Sequence, residues 1–322
     1  MVKRSVVIGA GVLALFALAS IRASADVKLP NLISSKMVLQ RDVPVTIWGW
    51  ADEGERVTVS IAGQTHATTA ENGKWAVTLA PMKAGGPEIM TISGKNTITL
   101  KDILIGEVWV CSGQSNMQWA LSQTDEAEKH IAAATNPKIR LYYVARTRSD
   151  SPLSETSGTW ELCTPKTVPG FSAVAYFFGR ELQKAIKAPV GVIHSSWGGS
   201  PAEAWTKESV LAANPQFKAN ILDSYERSIE QFKKALAQEK AKAAKAKKGQ
   251  KAAAPPRAPW KPGELYNGMI APLLPYAIKG AIWYQGESNA ARAAEYRKLM
   301  PTMIQNWRQD WGLGDFPFLI VQ

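Results

Sequence analysis

Hydrophobic and polar positions change rhythm once along this chain. Between residues 27 and about 103, apolar residues come in short β-rich runs: Val43-Pro-Val-Thr-Ile-Trp-Gly-Trp50, Val57-Thr-Val-Ser-Ile61 and Trp75-Ala-Val-Thr-Leu79. Turn signals such as Glu71-Asn-Gly73 and Ala84-Gly-Gly-Pro87 separate them. Strands of this length and spacing predict a small all-β sandwich. From about 104, strand-like runs at 103–111, 139–144, 190–194, 280–285 and 316–321 alternate with helical stretches at 172–186, opening on a capping serine, and 292–311. That alternation predicts an α/β unit with a parallel sheet and helices on both faces. The domain reading is therefore a β-sandwich-like unit over 26–103 and an α/β unit over 104–322.

Two stretches fall outside this scheme. Residues 1–25 carry Lys3 and Arg4, an apolar run over 5–19, and small residues Ala23-Ser24-Ala25 before Asp26. This is the layout of a secretory signal peptide, which predicts export to a periplasm or beyond and no other membrane segment, a retained N-terminal anchor being the alternative. Residues 225–248 begin as a helical pattern and decay into Ala/Lys low complexity ending at Ala254-Pro-Pro-Arg-Ala-Pro259. The stretch is too poor in apolar side chains to pack, which marks it as a solvated insertion or partly disordered arm.

Charge changes the picture only in one respect. The net charge of +11 suggests a polyanion partner, but residues 232–261 alone hold ten Lys or Arg against one acid, Glu239. With the basic leader also set aside, the body is nearly neutral, which argues against nucleic acid as a partner. The length of 322 residues suits about two domains. Cys111 and Cys163, the only cysteines, could pair in an oxidising compartment, or Cys111 could be buried in its apolar strand. Twelve tryptophans are unusual; such rings line carbohydrate sites, though core packing accounts for most.

Three motifs carry chemistry, and each follows a predicted strand. In Glu107-Val-Trp-Val-Cys-Ser-Gly-Gln-Ser-Asn-Met-Gln-Trp119, the strand runs into Gly113-Gln114-Ser115. The carboxyl ends of parallel strands are where ligands bind. A serine there exposes its hydroxyl among unpaired N–H donors suited to the oxyanion of ester attack, although spacing alone equally fits a helix-capping serine. In Val192-Ile-His-Ser-Ser-Trp-Gly-Gly-Ser-Pro-Ala-Glu-Ala-Trp205, two glycines allow close backbone approach to a ligand. In Ala281-Ile-Trp-Tyr-Gln-Gly-Glu-Ser-Asn289, the strand ends in amide and acid side chains.

Together the three resemble the sialate O-acetylesterase family of the SGNH-hydrolase superfamily, and Met37-Val-Leu-Gln-Arg-Asp42 with Ile47-Trp-Gly49 is similar to the β domain preceding those esterases. The resemblance implies an SGNH-like doubly wound α/β fold. It makes Ser115 the nucleophile and places Ser115, Gly199, Gln285 and, less directly, Asn289 in the oxyanion hole. It implies an acetylated-carbohydrate substrate cleaved through an acetyl-serine intermediate, with no cofactor and no metal. Gln114, Asn116, Trp197, Glu203, Trp205 and Glu287 are the candidate pocket residues.

The family pattern also has a downstream Asp-x-x-His that activates the serine. This chain has only His66, His130 and His194, none in such a motif, and its final residues 318–322 read as strand. The expectation is a C-terminally truncated or incomplete chain of doubtful activity, with His194 structural. Two rival readings remain. One is another α/β-hydrolase using Ser288 in Gly286-Glu-Ser-Asn-Ala290, close to a nucleophile elbow. The other is a non-catalytic carbohydrate-binding protein.

Overall fold

The computed structural model describes residues 26–245 and 256–321. The signal-peptide expectation and the end of the Ala/Lys-rich insert fall outside these residues. Among the described residues, no helix is long and apolar enough to cross a membrane.

Among the described residues, twelve strands and seven α-helices follow in chain order: β1 (Val38–Gln40), β2 (Val45–Trp50), β3 (Arg56–Ile61), β4 (Gln64–Thr69), β5 (Lys74–Leu79), β6 (Gly85–Ser93), β7 (Thr97–Gly113), α1 (Ser115–Gln118), α2 (Ala127–Ala132), β8 (Asn136–Tyr143), β9 (Trp160–Cys163), α3 (Ala173–Ile186), β10 (Val190–Ser196), α4 (Glu208–Ala212), α5 (Pro215–Phe217), α6 (Asp223–Lys245), β11 (Gly280–Tyr284), α7 (Ala293–Trp311) and β12 (Phe318–Ile320).

The β-rich part is two facing layers. β2 and β5 form an antiparallel pair, and β4, β3, β6 and the first half of β7 form the other sheet. Burial alternates residue by residue in β2, β3 and β5, as expected when one face of a strand packs and the other meets water. Val45, Ile47, Val77 and Leu79 of one layer join Val57, Val59, Met90 and Ile92 of the other in a single apolar cluster.

β7 then changes partners without a break. Its residues up to Asp102 alternate between exposed and more covered positions, Leu100 alone being buried, and Asp102 takes a φ of +58°, whereas every residue from Ile103 to Gly113 is buried. That second half is the middle of a sheet ordered β9-β8-β10-β7-β11-β12, parallel except for β9. β10 is likewise buried along its whole length, as interior parallel strands covered on both faces are. One face of the sheet offers Trp109, Cys111, Val190 and Val192 to α3. The other offers Val108, Val110, Ile193 and Trp283 to Leu299, Met303 and Trp307 of α7. The sheet is thus doubly wound, and residue 103, where the sequence pattern changes, lies inside one continuous strand.

Ser172 caps α3 as its type predicts, its Oγ accepting from Ala175 N at 3.1 Å. Both cysteines are buried and free, so the pairing considered from sequence does not form. Each thiol is walled into apolar packing, Cys111 on β7 and Cys163 on β9, with burial pushing the Cys163 thiol up to about 11.

Candidate active site

The carboxyl ends of β7, β10 and β11 converge, and named hydrogen bonds fix how. Trp197 N donates to Gly113 O at 3.1 Å, and Gln114 N donates to Tyr284 O at 3.0 Å. Gly113 is required here: its φ is +142°, and a β-carbon would lie 2.2 Å from Tyr284 O. The chain leaves β7 at this glycine and enters α1, which puts Ser115 at the first helical position with its side chain exposed. Neither the Ser115 hydroxyl nor its N–H has a hydrogen-bond partner among the described residues. First-turn N–H groups have no intrahelical acceptor, so this one is open to a ligand.

The Trp197-Gly198-Gly199 turn folds directly over this serine. Gly198 N donates to Gln118 Oε1 at 2.7 Å, and a β-carbon on Gly198 would stand 3.4 Å from Ser115 Cβ. Gly199 is exposed, has φ +76° and leaves its own N–H without a partner among the described residues. Sequence reasoning missed Gln118. The signal was available: a polar residue three positions after Ser115 shares its side of a helical turn.

The third strand end is braced internally. Gln285, 4% exposed, donates from Nε2 to Ser200 O at 3.2 Å and to Asn289 Oδ1 at 2.7 Å. Asn289 accepts from Ala202 N at 2.9 Å and donates to Glu203 Oε2 at 2.8 Å. These contacts orient both amides and use both protons of Gln285. Glu203, 7% exposed, also takes Arg292, which reaches Glu295 at 2.5 Å through its other nitrogen. Glu203, Gln285 and Asn289 therefore tie the loop after β10 to the loop after β11.

The other residues expected near the site divide clearly. Asn116 Nδ2 donates to exposed Glu287 Oε1 at 2.6 Å, at the solvent side of the turn. Gln114 is buried and accepts from Ser288 N at 3.3 Å. Trp197 is half-buried at the rim, whereas Trp205 is fully buried, its indole N–H donating to Ser200 Oγ at 2.8 Å. Tyr284, Gln285, Glu287, Tyr296, Ile320 and Val321 are among the residues lining a cavity of about 690 Å³ between the end of β11, α7 and β12. Ser288 is exposed but sits in a short helical turn with no positive φ, not at a strained elbow.

None of the histidines is bonded to Ser115. His66 on β4 meets Gln64 Oε1 at 3.3 Å, and His130 packs edge to face with Phe177. His194 is 1% exposed, pairs through Nε2 with Ser196 Oγ at 2.6 Å, and lies between Tyr143 and Phe171. Burial, aided by the positive charge of Arg146, lowers its pKa to about 3, so it is neutral at ordinary pH.

A doubly wound parallel sheet with an unpartnered serine at the end of its central strand defines an SGNH-like α/β protein. A family model for carbohydrate esterases, sialic acid-specific acetylesterase, matches residues 105–249 and 252–322. The sialate O-acetylesterase of Rattus norvegicus is 32% identical over 98% of this chain, and that of Homo sapiens 31% over all of it. The solved structure of a carbohydrate acetylesterase from Xanthomonas citri superimposes with a TM-score of 0.76 at 34% identity, covering 92% of this chain and 60% of that one. The chain belongs to the sialic acid-specific acetylesterase family. It spans 63% of the rat relative and 62% of the human one.

Proposed function

We propose that the chain acts on O-acetylated carbohydrates, sialic acids or related sugars, as a serine esterase. The observation that carries this reading is the Ser115 hydroxyl, exposed and unpartnered at the end of β7, with the free N–H groups of Ser115 and Gly199 in its own and the overlying turn. Ser115 Oγ attacks the acetyl carbonyl, and the N–H donors hold the resulting oxyanion. The C–O bond to the sugar breaks, the sugar oxygen takes a proton, and water then cleaves the acetyl-serine to acetate. Gln285 and Asn289, assigned by the family resemblance to the same oxyanion hole, act in this reading by holding the Gly199 turn in register. Asn116, Glu287 and Trp197 border the substrate.

The reaction needs a general base, and none of the three histidines supplies one: His194, the one nearest a strand end, is buried against Ser196 and neutral. Positioned bases contribute about 10²–10⁴-fold, and that share of the rate belongs to a base other than these three histidines. Export and a carbohydrate rather than nucleic-acid partner belong to this reading, on the leader pattern and the near-neutral body.

Acetate release from an O-acetylated sialic acid and from p-nitrophenyl acetate, with mass analysis of acetylated peptides, tests it. Ser115→Ala removes both release and the acetylated peptide, while Ser288→Ala leaves them. Loss confined to the Ser288 variant transfers the nucleophile to the loop after β11. Sugar binding with no acetyl transfer by any variant favours a carbohydrate-binding protein.

A further inference from the structure

Two arginines and two tryptophans meet at the rim of the site. Trp197 and Trp260 pack edge to face, with ring centroids 5.4 Å apart. The Arg148 guanidinium lies 4.0 Å from the Trp260 ring centre and 5.4 Å from that of Trp197. Its charge is answered by buried Glu264, 3.7 Å away. Arg148 therefore holds the aromatic pair together. Arg146, two residues earlier, lies 6.0 Å from the Trp197 ring centre. It is exposed and has no carboxylate partner among the described residues.

Position gives that free charge its meaning. Arg146 follows the carboxyl end of β8, and Trp197 follows the carboxyl end of β10, the strand paired beside it. Trp197 is joined to Gly198, where an added β-carbon would stand 3.4 Å from Ser115 Cβ. The acids of the same cluster are already paired: Glu264 faces Arg148, and Asp150 pairs with Lys261. A cation over an indole face, at the carboxyl ends of the strands and without a counter-ion, is arranged to receive an anion whose apolar side rests on the ring.

We infer that Arg146, with the Trp197–Trp260 pair, forms a subsite for the ring carboxylate of an acidic O-acetylated sugar, making Arg146 the residue that selects acidic over neutral substrates. The inference rests on the carbohydrate reading above and adds the substrate's charge to it. The carboxylate pairs with the guanidinium, and the apolar face of the sugar ring lies on the indoles. A neutral acetylated polysaccharide would use only the aromatic part.

Binding measurements test this without turnover. N-acetylneuraminic acid and its uncharged methyl ester are titrated into the chain, followed by tryptophan fluorescence and ligand NMR. The acid is expected to bind about tenfold more tightly than the ester, a preference that weakens with salt. Arg146→Gln lowers affinity for the acid to that for the ester and leaves the ester unchanged, while Trp197→Ala weakens both. Arg146 is exposed, so an unshifted melting temperature verifies the fold of its variant. Equal affinity for acid and ester, no effect of Arg146→Gln, or no binding of either sugar overturns the subsite. Failure of the esterase reading is distinguishable: Ser115→Ala would then leave acetate release intact, whatever the arginine variant does to binding.

Discussion

Gly198 faces Ser115 so closely that a β-carbon on the glycine would stand 3.4 Å from Ser115 Cβ and 3.2 Å from Gln118 Oε1. The contact couples two loops that are 80 residues apart in sequence, since the Gly198 N–H is held by that same Gln118 oxygen. A larger residue at 198 must push the serine or break the clasp. Displacements of about 1 Å at a reacting centre cost on the order of 10²-fold in rate. Gly198→Val is therefore expected to lose about that much p-nitrophenyl acetate hydrolysis while melting within a few degrees of the parent. Unaltered hydrolysis would show that the turn does not govern the serine.

Gly113 sets a different requirement, in the sheet itself. Its positive φ and the 2.2 Å approach of a would-be β-carbon to Tyr284 O leave no room for alanine. The obstacle is backbone, which does not swing aside as a side chain would. Gly113→Ala is expected to cost about 3 kcal/mol or more in urea unfolding, through backbone strain and loss of the β7–β11 seam. A change below about 1 kcal/mol would mean that β11 is free to shift.

Much of this arrangement was legible because strand ends announce themselves: an apolar run meeting Gly-Gln-Ser, Trp-Gly-Gly or Gln-Gly-Glu marks where a buried strand surfaces. The fully buried second half of β7 reads the same in sequence as in structure. What stayed hidden depends on distant partners. The switch of β7 from one sheet to the other is marked by one residue, Asp102, whose φ is +58° where the pairing with β6 shifts register, and a single Asp at the head of an apolar run does not announce that one strand serves two sheets. The amides of Gln285 and Asn289 look available in sequence; only the fold brings Ser200, Ala202 and Glu203 to occupy them. The stretch from 225, whose opening helical pattern was legible, stays helical through Lys245, since Ala and Lys are strong helix formers whatever their packing. Seven of the twelve tryptophans, 75, 109, 160, 205, 283, 307 and 311, are buried packing residues.

Glu203 is the hinge of the polar brace. Its two oxygens hold Asn289 and Arg292, and through Asn289 the link runs to Gln285 and Ala202. Glu203→Ala strands a buried amide and leaves Arg292 to Glu295 alone. Because Arg292 is partly exposed, water recovers some of the loss, and about 2 kcal/mol of destabilisation is expected. Glu203→Gln retains a partner for Asn289 and should cost less. Equal stability of all three proteins in urea would remove the brace from the account.

The buried cysteines give a direct test of packing. Desolvation holds both thiols in their protonated form, Cys163 with its pKa near 11, so neither is nucleophilic in the native state. A thiol-reactive dye should label neither residue in buffer and both in denaturant, without prior reduction. Labelling only after reduction would reveal a disulfide, against the geometry described here.

His194 makes stability depend on pH in a defined direction. In the unfolded chain it titrates near its ordinary value of about 6.5. In the folded chain its pKa is lowered to about 3 by burial first and by Arg146 second. Between those values the unfolded state binds a proton that the folded state refuses, so stability falls as the pH drops below about 6.5 and levels off near 3. At pH 5 the loss attributable to this residue is about 2 kcal/mol relative to neutral pH. Carboxylates titrate over part of the same range, so the informative quantity is the difference between parent and His194→Gln. The variant's urea stability should decline less from pH 7 to pH 5, by about that amount. Parallel pH profiles for the two proteins would place the histidine in contact with water, contrary to its position between Tyr143 and Phe171.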